Sequence, residues 1–211
     1  FIWQDDIMIG IDNNPTVYYR APRSSADIYL NSFIVAEYDA MAEILRRNDK
    51  DATEYENKAA TLRIAINGQM WDEHDGIYYS QDVGFVKTER SYNGFTFHEG
   101  FAPKWNTVPL KIRFWACFLP LYVGVCNEEQ ANRLCEHLHD PDVMATYGVR
   151  TLARNEKMYN LEKSNNPSNW LGAIWTIANY LVYKGLLRYN KTELAEELRN
   201  KTVFLLQKNL H

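Results

Sequence analysis

The sequence predicts an all-α protein of two helical layers, interrupted by one small β-hairpin and by long loops. Three observations carry this. Apolar stretches beginning at Leu110 and Trp170 are each followed by a shorter or more charged amphipathic one. Inner helices covered on both sides and outer helices covered on one give that alternation. Helix-start signals recur at Ser24–Asp27, Asp51–Glu54 and Asn127–Gln130, each able to satisfy free N–H groups. The strongest hairpin signal is Asp75-Gly76 leading into the β-favouring run Ile77-Tyr78-Tyr79.

Taken in order, residues 1–23 contain Gly10, Pro15 and Pro22 and show no helical period, so they form an extended or looped entry. A helix follows the cap at Ser24–Asp27 to about Arg47, with Leu30, Ile34, Met41 and Leu45 on its inward stripe. A second helix follows Asp51–Glu54, with Tyr55, Ala59, Leu62, Ile66 and Met70 inward. Val83 to Val108 is rich in glycine and aromatics and reads as a long loop, the kind that is usually functional in a compact domain. Leu110 to Tyr122 reads as an apolar helix, and Asn127–Gln130 opens an amphipathic one carrying Ala131, Leu134 and Leu138. Another long loop runs from Asp140 to about Asn169. The segment from Trp170 to Tyr189 is apolar nearly all round and is expected to be a helix buried on most sides. A last helix covers Thr192 to about Lys208, with Leu194, Leu198 and Leu205 inward.

Composition narrows the function. The 211 residues carry a net charge of −4 and no extended Lys/Arg run, which argues against a nucleic-acid partner. The apolar segments are too short and too interrupted to cross a membrane. Six Trp and fourteen Tyr fit a large core or a groove that stacks flat rings, as sugar sites do. Cys117, Cys126 and Cys135 have neither disulfide-framework nor zinc spacing and are expected as buried free thiols. His98-Glu99 lacks the second His of a zinc motif, and Cys135, His137 and His139 are expected as a surface cluster. No cofactor and no metal are expected. The chain begins at Phe1 without a visible signal peptide, so no compartment is assigned.

The segment Gly10-Ile11-Asp12-Asn13-Asn14-Pro15 places a carboxylate in irregular backbone, from which it can be aimed into a cleft. An Asp in such a stretch more often bonds its own backbone in a turn. Both readings stand on these residues alone.

Further segments tip the balance. Gly10-Ile11-Asp12-Asn13 resembles the second half of the Trp-Glu-Ser-Gly-x-Asp-Asn motif of glycoside hydrolase family 63 and its trehalase relatives. Phe118-Leu119-Pro120-Leu121-Tyr122-Val123-Gly124 is similar to that group's Phe-x-Pro-Leu-x-x-Gly. Tyr147 to Ala153 resembles its Gly-Val-Pro-Ser-Leu-Ala, and Asn169 to Trp175 its Tyr-Trp-Arg-Gly-Pro-Val-Trp. The order is the family's, across nearly the whole chain, and the Asp-Asn-x-Pro continuation is nearest the mannosylglycerate hydrolase-like members. Met8 and Ile9 depart from the polar pair before the Gly, and Leu171 departs from the Arg of Trp-Arg-Gly.

The resemblance implies an (α/α)6 toroid, about half of it present in residues 1–211, as a single catalytic domain expected to continue at both ends. It implies an inverting glycosidase acting on a small α-linked glucoside or mannoside, with Asp12 as general acid. Such a reaction uses a second carboxylate as water-activating base, roughly 6.5–9.5 Å from the first. A protonated Asp12 would need burial against aromatic walls or a nearby second carboxylate. Trp3, Asn13, Tyr19, Trp170 and Trp175 are the substrate-binding candidates, with Tyr18 a further wall residue. Glu37, Asp72, Glu99 and Glu162 lack the family's base motif, so the base is expected outside the chain. The expected partners are the carbohydrate substrate and the remainder of the same barrel. A non-catalytic carbohydrate-binding or scaffold protein on the same fold is the alternative, motivated by Met8, Ile9 and Leu171. A lyase or epimerase would instead prefer His or Tyr as its acid–base pair.

Overall fold

The computed structural model describes residues 1–211 except 8, 19, 85–89, 98–106, 163–167 and 209–211. Helix α1 (Ile28–Arg47) packs along α2 (Thr53–Met70). A 3-10 turn at Trp115–Phe118 runs into the short α3 (Leu119–Tyr122), and this segment lies between α1 and α5 (Thr176–Arg188). Helix α6 (Thr192–Lys208) packs outside α5, while α4 (Glu128–Glu136) lies against the hairpin strand Ile77–Tyr78. The inner row is therefore α1, the Trp115–Tyr122 segment and α5, with α2, α4 and α6 outside it. That is the two-layer alternation the apolar patterning predicts.

Helix α1 starts later than its sequence signal. Ser24 Oγ donates to Ala21 O at 2.6 Å, and Ser25–Ala26 is drawn into a short strand, β1. The N-cap is Asp27, whose side chain accepts the Tyr29 N–H. The inward face also differs. Ile28, Asn31, Ser32, Val35 and Ala42 are buried, whereas Leu30, Ile34, Met41 and Leu45 are only half-buried. Asn31 can be buried because its amide bonds both Phe1 and the Asp27 carbonyl. In α2 the periodicity holds: Ala59, Leu62, Ile66 and Met70 are buried, and Tyr55 lies at the margin.

The hairpin falls where Asp75-Gly76 indicates, with β2 (Trp71–Asp72) pairing β3 (Ile77–Tyr78) in the register Trp71 opposite Tyr78. Strand β4 (Gln81–Asp82) pairs antiparallel with β1, Ser25 opposite Asp82. The stretch expected as one loop from Val83 to Val108 instead holds β5 (Arg90–Tyr92) and β6 (Phe95–Phe97), joined at Asn93-Gly94. That dipeptide is the signal that foretells them. Strand β7 (Val108–Pro109) completes the β1–β4–β7 sheet.

The two apolar segments are less helical than their patterning suggests. Residues 110–114 are not helical, because Leu110 N–H bonds Ser80 O and Trp115 N–H bonds Thr151 O. The chain turns helical at Trp115 as 3-10 helix and becomes α-helix only next to Pro120, which has no N–H and is tolerated in a first turn. Residues 170–175 are likewise not helical, with a bend at 171–172 and Ile174 bridged to Arg150, so α5 starts six residues after Trp170. Within the loop after Asp140, β8 (Met144–Ala145) pairs β9 (Gly148–Val149).

Helix α5 is not covered on most sides. Ala178, Leu181, Val182 and Leu186 are buried, but Ile177 and Tyr180 are 47% and 55% exposed. Gly185 lets α5 approach α3 backbone to backbone, since a Cβ there would lie 2.8 Å from both Leu121 Cβ and Tyr122 N. In α6, Leu198 is buried while Leu194 and Leu205 are half-buried. Helix α4 carries a full capping box between Asn127 and Gln130. All three cysteines are free and buried. Burial pushes Cys117 and Cys126 up to about 12 and Cys135 to about 11. Cys135 therefore belongs to the core and not to a surface cluster, and His137 Nε2 meets Asp75 O at 2.9 Å. Among the described residues, no helix is long and apolar enough to cross a membrane.

Candidate active site

The Gly10–Thr16 turn is the centre of the candidate site. Gly10 takes a left-handed conformation, φ 81°, with its Cα facing the Tyr29 hydroxyl. A side chain there would be strained and would meet that oxygen, so the turn is specific for glycine. Asn14 N–H bonds Ile11 O at 3.0 Å, and the Asn14 carbonyl accepts from Val17 and Tyr18. Asn14 Oδ1 accepts the Thr16 N–H at 3.0 Å and the Thr16 hydroxyl at 2.9 Å. The side-chain-to-backbone bond expected of a turn Asp is thus made by Asn14.

Asp12 is left exposed between two buried neighbours, Ile11 and Asn13. Among the described residues its carboxylate makes no hydrogen bond or ion pair. The burial against aromatic rings expected for Asp12 is therefore not supplied by the described part of this chain. Its neighbours hold the backbone, and among the described residues the side chain itself stays exposed.

Asn13 binds this turn to the aromatic segment far along the sequence. Its Oδ1 accepts the Trp170 N–H at 2.8 Å. Trp170 is buried, and its ring stacks on Trp175 at 4.3 Å with an interplanar angle of 6°. Trp115 lies 5.9 Å from the same ring. Trp175 is half-buried, and its Nε1 donates to Asn169 O at 2.8 Å. A further resembling segment, Tyr147 to Ala153, joins here through Thr151. Thr151 Oγ1 donates to Ala173 O at 2.8 Å and accepts the Gly172 N–H at 3.0 Å, while Thr151 O accepts from Trp115. The Asp12 turn, Trp115, Thr151 and the stretch 169–175 are thus brought together.

Trp3 reaches the same turn indirectly, through Asp27. Trp3 Nε1 and Asn14 Nδ2 both donate to Asp27 Oδ2, at 3.0 and 2.8 Å. Asp27 is fully buried; burial raises its pKa, and the hydrogen bonds from Trp3, Ser80, Tyr29 and Thr16 oppose that rise. Sequence reasoning gives Asp27 only a capping role. Its convergent partners are distant in sequence, and only the fold assembles them.

The remaining candidates are placed as follows. Tyr19 and Glu99 lie outside the described residues, as does Met8. Glu37 and Glu162 are exposed, and Asp72 is paired with Lys111 at 2.9 Å. Leu171 packs against the core. Asp72, His74 and Asp75 bring ligand atoms within 4.8 Å of one another, but Lys111 already bridges both carboxylates. A surface depression lined by Trp3, Asp5, Asp6, Val17 and Arg20 does not include Asp12.

The chain is similar to known proteins over most of its length. The family model described as the mannosylglycerate hydrolase MGH1-like glycoside hydrolase domain matches residues 5–211. An uncharacterized protein of Borreliella burgdorferi is 26% identical over 206 residues, covering 94% of this chain and 38% of that protein. A mannosylglycerate hydrolase of family GH63 from Thermus thermophilus, solved in complex with glucose, superposes with a TM-score of 0.69 at 18% identity. The match covers 90% of this chain and 42% of that one. A neutral trehalase of Saccharomyces cerevisiae gives a TM-score of 0.66 at 16% identity, over 89% of this chain and 32% of that one. The chain thus spans less than half the length of these relatives. The likeness identifies the two-layer arc as part of an (α/α)6 toroid.

Proposed function

Because the chain belongs to the mannosylglycerate hydrolase MGH1-like family of glycoside hydrolases, we propose that Asp12 is the general acid of an inverting glycosidase. The observation that carries this reading is the division of labour in the turn. Asn13 and Asn14 make the structural bonds, and among the described residues the Asp12 carboxylate is left free to face a substrate.

In the proposed reaction the Asp12 carboxyl gives its proton to the glycosidic oxygen as the anomeric C–O bond breaks. A water molecule adds to the anomeric carbon from the opposite face and loses a proton to a second carboxylate. The products are the inverted sugar and the free alcohol. Glu37, Asp72, Glu99 and Glu162 lack the family's base motif, and Asp72 is ion-paired, so the base is proposed to lie in the part of its relatives' length that this chain does not span. The domain then continues beyond residues 1–211, and its continuation covers Asp12.

Trp175 is proposed to offer its ring to the sugar, with Trp170 as its backing. The faces of Trp170 lie against Trp175 and Trp115, so it acts as support. Trp3 is proposed to line the site through the Asp27 link, and Asn13 to hold its floor. The substrate is proposed to be a small α-linked glucoside or mannoside. Glucose and D-glycerate bound to the Thermus thermophilus hydrolase support that class.

The test is Asp12→Asn in the full-length protein, assayed on α-glucosides, trehalose and mannosylglycerate. Turnover should fall by about 10²–10⁴-fold while binding persists. Wild-type turnover in the variant would refute the assignment. NMR of the first-formed product should show the inverted anomer, and a retained anomer would overturn the water-activating scheme.

A further inference from the structure

We propose that Asp27 is a positioning residue for the Asp12 turn, holding that turn from both sides of Asp12 through one buried carboxylate. The inference rests on the reading of Asp12 as general acid. Asp27 is fully buried at the start of α1. Its Oδ2 accepts from Trp3 Nε1 and Asn14 Nδ2. Its Oδ1 accepts from Ser80 Oγ at 2.8 Å and Tyr29 N at 3.3 Å, and at 3.2 Å it shares the Thr16 hydroxyl proton that Asn14 Oδ1 also accepts.

A helix cap alone does not account for this arrangement. Capping needs one acceptor, and Ser, Thr or Asn provides it without burying a charge. A buried carboxylate is costly unless its lone pairs are filled by donors. Here Trp3, Asn14 and Thr16 fill them from the very segment that carries Asp12, on both sides of it in sequence. Tyr29 fills the rest from α1 and Ser80 from the short link between β3 and β4. Ser80 Oγ also accepts the Ile28 N–H at 3.0 Å, so its own proton is directed at Asp27. The carboxylate thus ties a loop without regular secondary structure to rigid helix. Asparagine in its place would present an NH2 group toward N–H donors and lose that grip.

A general acid is sensitive to such control, because a displacement of about 1 Å can cost about 100-fold in rate. The readout that separates positioning from plain stability is the leaving group. A dinitrophenyl glycoside departs without protonation, whereas a methyl glycoside needs the acid. Asp27→Asn in the full-length protein should therefore lower kcat/KM for the methyl α-glycoside by about 100-fold. For the dinitrophenyl α-glycoside the change should stay within about threefold. The sugar is glucose or mannose, whichever the wild type hydrolyses faster. An equal loss on both substrates, or no loss on either, would overturn the proposal. If Asp27→Asn fails to fold by circular dichroism, Asn14→Ala removes one of the same bonds and must show the same selectivity. Asp12→Asn, run alongside, separates the two claims. If it lacks leaving-group selectivity, the general-acid reading fails, and if it alone has selectivity, only the positioning role fails.

Discussion

Asn13 and Trp170, which are 157 positions apart, are joined by a 2.8 Å hydrogen bond from the Trp170 backbone N–H to the Asn13 side-chain oxygen. Both residues are buried. The bond sets the turn that carries Asp12 against the stacked pair Trp170–Trp175.

Removing this acceptor strands a buried N–H. Asn13→Ala should cost about 1–3 kcal/mol of stability, whereas Asn13→Asp keeps an acceptor and should cost less. Chemical denaturation of the three proteins checks this, and an Ala variant as stable as wild type would refute the bond's importance.

Trp175 is the half-buried member of its stack, so truncation should act on substrate binding more than on proton transfer. Trp175→Ala is expected to raise KM severalfold, about 1 kcal/mol of aromatic contact, with kcat changed less. Trp175→Phe should recover part of the loss. Steady-state kinetics on one substrate distinguishes this from a role in chemistry, which would lower kcat first.

Acid sensitivity should come partly from the hairpin turn. The Lys111 ammonium, 2.8 Å from Asp75, holds that carboxyl well below its usual range, with help from His74 and Tyr79. A group depressed in the folded state binds fewer protons there than when unfolded. Its contribution is present above the unfolded value of about 3.9 and is lost as pH falls below it. Lys111→Met should flatten the fall in Tm on acidification below about pH 4. Lys111 is half exposed, so the effect should shrink at high salt. An unchanged acid slope in the variant would show that the pair is not responsible.

The contact between α3 and α5 leaves no room for a methyl group at Gly185. Gly185→Ala should destabilise the protein by about 1–3 kcal/mol through overpacking, even though alanine favours helix. A melting temperature at or above that of wild type would mean the two helices can separate at no cost.

The sequence by itself determined what depends on neighbours a few residues apart. The Asn127–Gln130 capping box, the Asp75-Gly76 hairpin and the buried stripe of α2 follow from local hydrogen bonding and from one helical period. The four resembling segments placed the candidate acid at Asp12. The sequence overstated the apolar helices at Leu110 and Trp170, because Thr151, Ser80 and Asn13 take their backbone groups from a distance. Only the tertiary structure decided that Asn14 makes the turn bonds and Asp12 does not, and that Asp27 gathers Trp3, Asn14, Thr16 and Ser80. The physical reason is that a buried polar group is stable only when all its partners arrive together. Those partners come from separate stretches of chain that carry no shared local signal.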